Sequence, residues 1–161
     1  MGQYWQYTGV GGSYNGTGLP TSTIIIGAAE KVICMTPVPD NRQPIQGGVL
    51  ITAQVSIGSS VAAVATFLCR QSTLGTSTGV TGTLVSSGGN TGIGTYTASI
   101  GTLAGTVAST GLQGVGPYTF QWVDYLGTGP LPVYQITGSM SAAAGTATVT
   151  SAFVTVQPLA V

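Results

Sequence analysis

Alternation dominates this chain. In GVLITAQVSI (48–57), Val49, Ile51, Ala53, Val55 and Ile57 fall on one side, with Thr52, Gln54 and Ser56 on the other. A period of two marks a half-buried strand. After a Gly58-Ser59-Ser60 turn comes VAAVATFLCRQ (61–71), apolar on both sides up to Arg70. This suits a strand covered on both faces, by an opposing sheet and by a neighbouring subunit. PYTFQWVDY (117–125) places Tyr118, Phe120, Trp122 and Asp124 on one face and Thr119, Gln121 and Val123 on the other. VYQITGSM (133–140) and GTATVTSAFVTVQP (145–158) supply two further strands. The last contains a phase slip: Ala147 and Val149 share one parity, whereas Ala152, Val154 and Val156 take the other. A slip of one residue flips the faces unless a bulge absorbs it, so a β-bulge is predicted near Ser151-Ala152.

Earlier in the chain, TIIIG (23–27) and KVICM (31–35) read as short strands, and the proline-punctuated VPDNRQPIQGG (38–48) as a surface loop. Residues 74–116 are low in complexity, and disorder is one reading of such a composition. Valine and threonine alternate within TGVTGTLV, GTYTASI and GTVAST, which favours short hairpins with long loops. No window combines helical apolar spacing with good helix formers. The expected fold is all-β, an antiparallel β-sandwich of jelly-roll type over residues 23–161. Residues 1–22 form an extended arm, rich in glycine and aromatic residues, that the core does not need.

Charge changes the picture more than length does. The 161 residues include three Lys+Arg, three Asp+Glu and no histidine, so only 4% are charged, against about 25% in ordinary domains. Such a surface suits a protein packed in an assembly rather than a free enzyme. Without a basic cluster there is no electrostatic grip on nucleic acid, and no apolar run approaches the ~20 residues of a membrane helix. The N-terminus lacks a secretory signal pattern, which points to assembly inside the cell that makes it or to export by a route that uses no such signal. Cys34 and Cys69 read as buried free thiols in preference to a disulfide.

Candidate chemistry is sparse. With no histidine, the common nucleophile–base pairs and the commonest metal ligand are missing. Phosphate-loop, dinucleotide, Cys-x-x-Cys and EF-hand patterns are absent. Glu30, Asp40 and Asp124 are scattered through the sequence, and nothing in their spacing forms a carboxylate pair or a metal site. The reading is a non-enzyme with no metal or cofactor. Arg70 and Asp124 are charges embedded in apolar strands. They are either strand ends reaching solvent or an ion pair, within a subunit or across a subunit boundary. Tyr125 and Tyr134 flank the Gly127–Pro132 loop as candidate surface or interface aromatics. Tyr4, Trp5 and Tyr7, in MGQYWQYTGVGG, are residue types that dominate buried contact points, and mark the arm as an anchor that docks onto a partner or a neighbouring subunit.

The C-terminal third, GPYTFQW (116–122) with VYQITGSMSAAAGTATVTSAFVTVQPLAV (133–161), and the paired strands of Ile45–Arg70 resemble small phage virion proteins with a jelly roll of the tumour-necrosis-factor/C1q type. The resemblance runs from about Thr23 to the end, through motifs of composition rather than chemistry. It implies a homotrimer on the outer surface of a phage head, a decoration or cement protein whose partner is the major capsid protein. Two other readings are a carbohydrate- or receptor-binding head-fibre module that stacks aromatics on a host-surface glycan, and a filament subunit whose arm adds a strand to the next copy.

Overall fold

The computed structural model describes residues 7–10, 24–36, 45–59, 63–72, 79–88, 94–100, 115–129, 132–141 and 147–159. Among them ten strands and no helix form: β1 (Tyr7–Val10), β2 (Ile24–Ile26), β3 (Lys31–Met35), β4 (Ile45–Ser59), β5 (Ala63–Ser72), β6 (Thr83–Leu84), β7 (Thr95–Ile100), β8 (Val115–Gly129), β9 (Val133–Met140) and β10 (Ala147–Pro158). One sheet runs β2-β10-β4-β8, the other β3-β9-β5-β7, and every neighbouring pair is antiparallel. From β2 to β5 and again from β7 to β10 consecutive strands alternate between the sheets, while β5 and β7 pair within one sheet, the interleaved connectivity of an eight-stranded jelly roll. β1 joins the first sheet beside β10, and β6 adds to the end of β5.

The alternation read from sequence accounts for the core. Val49, Ile51, Ala53, Val55 and Ile57 are all fully buried. Cross-strand register sets them in rows, Trp122–Ile51–Val156 and Phe120–Ala53–Val154. The small Ala53 sits between larger neighbours, leaving room for rings from the facing sheet. Phe67 of β5 fills that room, stacking on Phe120 with centroids 4.6 Å apart. Tyr96 of β7 lies 4.9 Å from Phe120 and meets Trp122 edge-on at 5.1 Å. The sheets are therefore joined at one side by an aromatic cluster, an arrangement favoured by the ring quadrupoles.

The phase slip in β10 is a bulge. Its register with β4 shifts between Val149 and Ser151, so Ala147 and Val149 before it and Ala152, Val154 and Val156 after it all face inward and are buried. One residue, Thr150, is added where the faces would otherwise invert.

The edge of β8 is closed by the segment before β7. Gly88 bridges to Trp122, Val123 N–H donates to Ser87 O at 3.0 Å, and the Tyr96 hydroxyl both accepts from Gln121 N–H and donates to Gln121 O. Gly94 takes φ +80°, and a Cβ there would lie 2.1 Å from Val85 O. Only glycine fits, and its carbonyl accepts the buried Trp122 indole N–H at 2.8 Å.

Several expectations change. Strand β4 begins at Ile45, so the end of the proposed 38–48 loop is already paired, to Gly129–Gly127 of β8. Of the 74–116 fragments, GTYTASI becomes β7 and TGVTGTLV contributes only Thr83–Leu84, while GTVAST lies outside the described residues. β5 buries Ala65, Phe67 and Cys69 on its inner face; on the outer face, which the sequence reading assigns to a neighbouring subunit, Arg70 is half-buried and Val64 is 44% exposed. Within the sequence assigned to the arm, Tyr7–Val10 forms a strand on β10.

Candidate interaction surface

Arg70 and Asp124, read from sequence as either strand ends or an ion pair, do not meet within the chain. Arg70 alternates with Phe67 and Cys69 on β5 and so points outward, whereas Asp124 shares the inward parity of Phe120 and Trp122 on a strand of the other sheet. Arg70 instead forms a two-pronged ion pair with Glu30, Nε to Oε1 at 2.7 Å and Nη2 to Oε2 at 2.8 Å. This fork geometry is the strongest form of carboxylate recognition. Glu30 also accepts from the Thr137 hydroxyl. The Arg70 bonds hold the Glu30 carboxyl below the usual carboxylate range, with burial opposing, and the same bonds raise Arg70. Glu30, in the connection from β2 to β3, thus crosses the outer face of β9 to reach β5.

The neighbouring outward residue of β9, Gln135, is fully buried. Its amide accepts from Thr81 N–H at 3.0 Å and donates to Gly79 O at 3.1 Å, fastening the 79–82 segment over the sheet. Two outward polar side chains of β9, Gln135 and Thr137, are buried and paired, as desolvated polar groups must be. Sequence reading weighed Glu30 only as one of three scattered carboxylates, without a partner, and passed over Gln135, whose burial depends on a covering loop.

Asp124 has a different partner: its Oδ2 accepts the Tyr134 hydroxyl at 2.8 Å. Tyr134 is fully buried, which corrects its assignment as a surface aromatic. The parity of Tyr134, Ile136 and Met140 along β9 already pointed inward. Burial, then the Asp124 charge, pushes the Tyr134 phenol well above its ordinary range. Tyr125 is 75% exposed, so of the two candidates it alone presents a ring to solvent. Tyr4 and Trp5 lie outside the described residues, and Tyr7 pairs with Val156 at the start of β1.

Cys34 and Cys69 stand opposite Ile136 on either side of β9. Two strand spacings separate them by about 10 Å, too far for a disulfide. Both are buried free thiols, raised by desolvation. Among the described residues no group of three or more His, Cys, Asp or Glu side chains is placed to hold a metal, and no helix is long and apolar enough to cross a membrane.

The outer face of the first sheet carries no charge among the described residues, and it is exposed or half-exposed except at Thr155, which is buried. Outward residues of β8, β4 and β10 form three rows: Thr119–Gln54–Phe153, Gln121–Thr52–Thr155 and Val123–Leu50–Gln157. Phe153 is 39% exposed, and Gln121 Nε2 donates to Thr52 Oγ1 at 3.4 Å within the grid. Of the charged residues described, Glu30 and Arg70 lie over the other sheet, Asp124 points inward and Lys31 opens β3. The two outer faces are chemically different, one clasped by an ion pair and one neutral.

No protein-family model matches this chain, and no curated protein does. Among solved structures it is similar to a VP2 chain of infectious bursal disease virus in a subviral particle, at 13% identity and a TM-score of 0.47, covering 97% of this chain and 33% of that one. A chain from the Gx strain of the same virus matches at 12% identity and a TM-score of 0.40, covering 98% and 33%. The chain spans about a third of the length of these viral chains.

Proposed function

We propose that this is a structural virion protein, a non-enzymatic decoration or cement subunit that binds the outer surface of a phage head as a homotrimer. The supporting observation is the charge-free grid on β8, β4 and β10. Burying such a face against a neighbour leaves no stranded charge, the largest cost of docking a typical surface. The glutamine and threonine side chains can exchange water for hydrogen bonds to a partner. The grid measures on the order of 10 by 14 Å between strand positions, well below the ~800 Å² per partner of a standard interface. A single copy therefore binds weakly, and attachment gains from three linked copies on a symmetric shell. Tyr4 and Trp5, just ahead of β1, add anchors of the type that carries contact energy.

The test places charge in the grid. Gln54→Lys with Gln121→Lys alters two exposed or half-exposed side chains, so the melting temperature is expected to stay within a few degrees. Cosedimentation with heads of the encoding phage is expected to fall at least tenfold. Replacing Tyr4, Trp5 and Tyr7 by alanine is expected to weaken it further. Undiminished cosedimentation in both variants, or a free protein whose mass in solution is that of one chain at every concentration, overturns the proposal. The glycan-binding reading keeps one exposed ring, Tyr125, after the burial of Tyr134, and is the weaker of the two.

A further inference from the structure

β1 and β2 are the two short strands on the open edge of β10. β1 pairs with β10 through four residues, Tyr7–Val10 against Val156–Phe153, and β2 pairs with the same edge further along, Ile24–Ile26 against Val149–Ala147. The two are collinear and run in the same direction. The gap between Val10 and Ile24 equals the step from Gln54 to Ile57 on β4, since those residues oppose Phe153 and Val149. That is three residues, about 10 Å. Thirteen residues, 11–23, join the two strands, and a chain of that length can reach more than ~40 Å. The connection is thus about four times longer than its own chain requires. Gly9 lies within the strand itself, where glycine weakens a strand.

We propose that Tyr7–Val10 is an exchangeable strand, which in the assembled protein pairs with the Phe153–Val156 edge of a neighbouring copy. The same contacts form in either arrangement, so the choice rests on local concentration rather than on contact energy. A thirteen-residue connection supplies its own strand at roughly millimolar effective concentration. In dilute solution the strand stays at home. In an assembly the neighbour's strand is present at a similar concentration, and exchange becomes competitive. Because donor strand and acceptor edge are different surfaces, exchange is head-to-tail: it closes around a threefold axis into a trimer, or stays open as a filament. The inference deepens the reading of the protein as an assembling subunit by naming the edge through which copies join.

Thr8 and Thr155 are directly opposed, and opposed residues of an antiparallel pair lie within disulfide range. A Thr8→Cys chain carrying a size tag is mixed at about 1 mM with an untagged Thr155→Cys chain and oxidised. Neither chain can close this bond by itself, and the native thiols are buried. A mixed-size disulfide dimer on a non-reducing gel is expected, and it should disappear on hundredfold dilution before oxidation. The doubly substituted chain is expected to close within itself when dilute. Absence of the mixed dimer while the double variant closes internally overturns exchange; failure of the double variant to close overturns the register on which it rests. If either substitution blocks folding, Val10 and Phe153, two residues along in the same register, take the same test. Deleting residues 12–23 leaves only Gly11, which spans roughly 7 Å, so a self-paired strand becomes impossible. That variant is expected to be an obligate oligomer, and a folded monomer would count against exchange. No phage particle is present in these experiments, so their failure leaves the capsid-binding test standing, and the converse.

Discussion

Replacing Glu30 by glutamine keeps the shape of the side chain and removes its charge. The Glu30 and Arg70 side chains are about a quarter exposed, so their pairing retains part of its strength in water, and the substitution is expected to cost roughly 1–2 kcal/mol at neutral pH. Because the folded carboxyl titrates below its unfolded value near 4.3, its contribution is complete above that pH and is lost as pH falls through the lower, folded value. Melting curves from pH 7 to 2.5 should therefore show wild type and Glu30→Gln converging below about pH 4; a constant separation would exclude the clasp as the cause. Gly94→Ala tests a steric demand. The added methyl meets the Val85 carbonyl and displaces the carbonyl that receives the Trp122 indole, so a loss of about 3 kcal/mol is expected in urea denaturation. At this scale, the face that Asp124 shares with Phe120 and Trp122 was read from the sequence, whereas Tyr134 was read as a surface or interface aromatic and is buried. The partners were not legible: Glu30 precedes Arg70 by forty residues, and only the folding of β2 and β3 around β9 brings them together.

Among the strands, β10 carries the sharpest information. Its bulge is written in its parity, and it makes opposite predictions for two deletions. Removing Thr150 leaves Ala147, Val149, Ala152, Val154 and Val156 in one continuous alternation, matched residue for residue to β4, and is expected to fold. Removing Thr155 turns Val156 outward and Gln157 into the core, at a cost of about 3 kcal/mol or more. Circular dichroism melts of the two variants separate the cases, and equal stabilities would contradict the bulge assignment. The long strands β4, β5, β8, β9 and β10 were all readable as strands, and in β4, β8 and β10 enough alternating positions are present to define a face. β6 and the four-residue pairing of β1 were not readable. Their sequences, TL and YTGV, hold too few positions for a period to show, and they become strands because an open edge of β5 or β10 supplies the hydrogen bonds.

For the whole molecule, low charge and a jelly-roll connectivity combine into a body with two unlike outer faces. One is sealed by the Glu30–Arg70–Thr137 and Gln135 contacts; the other is a neutral grid suited to burial against another protein. Lysines introduced into the grid should abolish particle binding without unfolding the protein, and cross-linking through Thr8 and Thr155 should join copies. The amino-acid sequence by itself determined the all-β class, the faces of β4, β8 and β10, the bulge and the scarcity of catalytic groups. These follow from local periodicity and composition, which need no knowledge of what lies opposite. Only the tertiary structure decided the partners of Arg70 and Asp124, the burial of Tyr134, the closing of the β8 edge and the place of Tyr7–Val10. Each of those depends on which strand lies beside or across from which, and the order β2-β10-β4-β8 over β3-β9-β5-β7 is set by long-range pairing that no local pattern encodes.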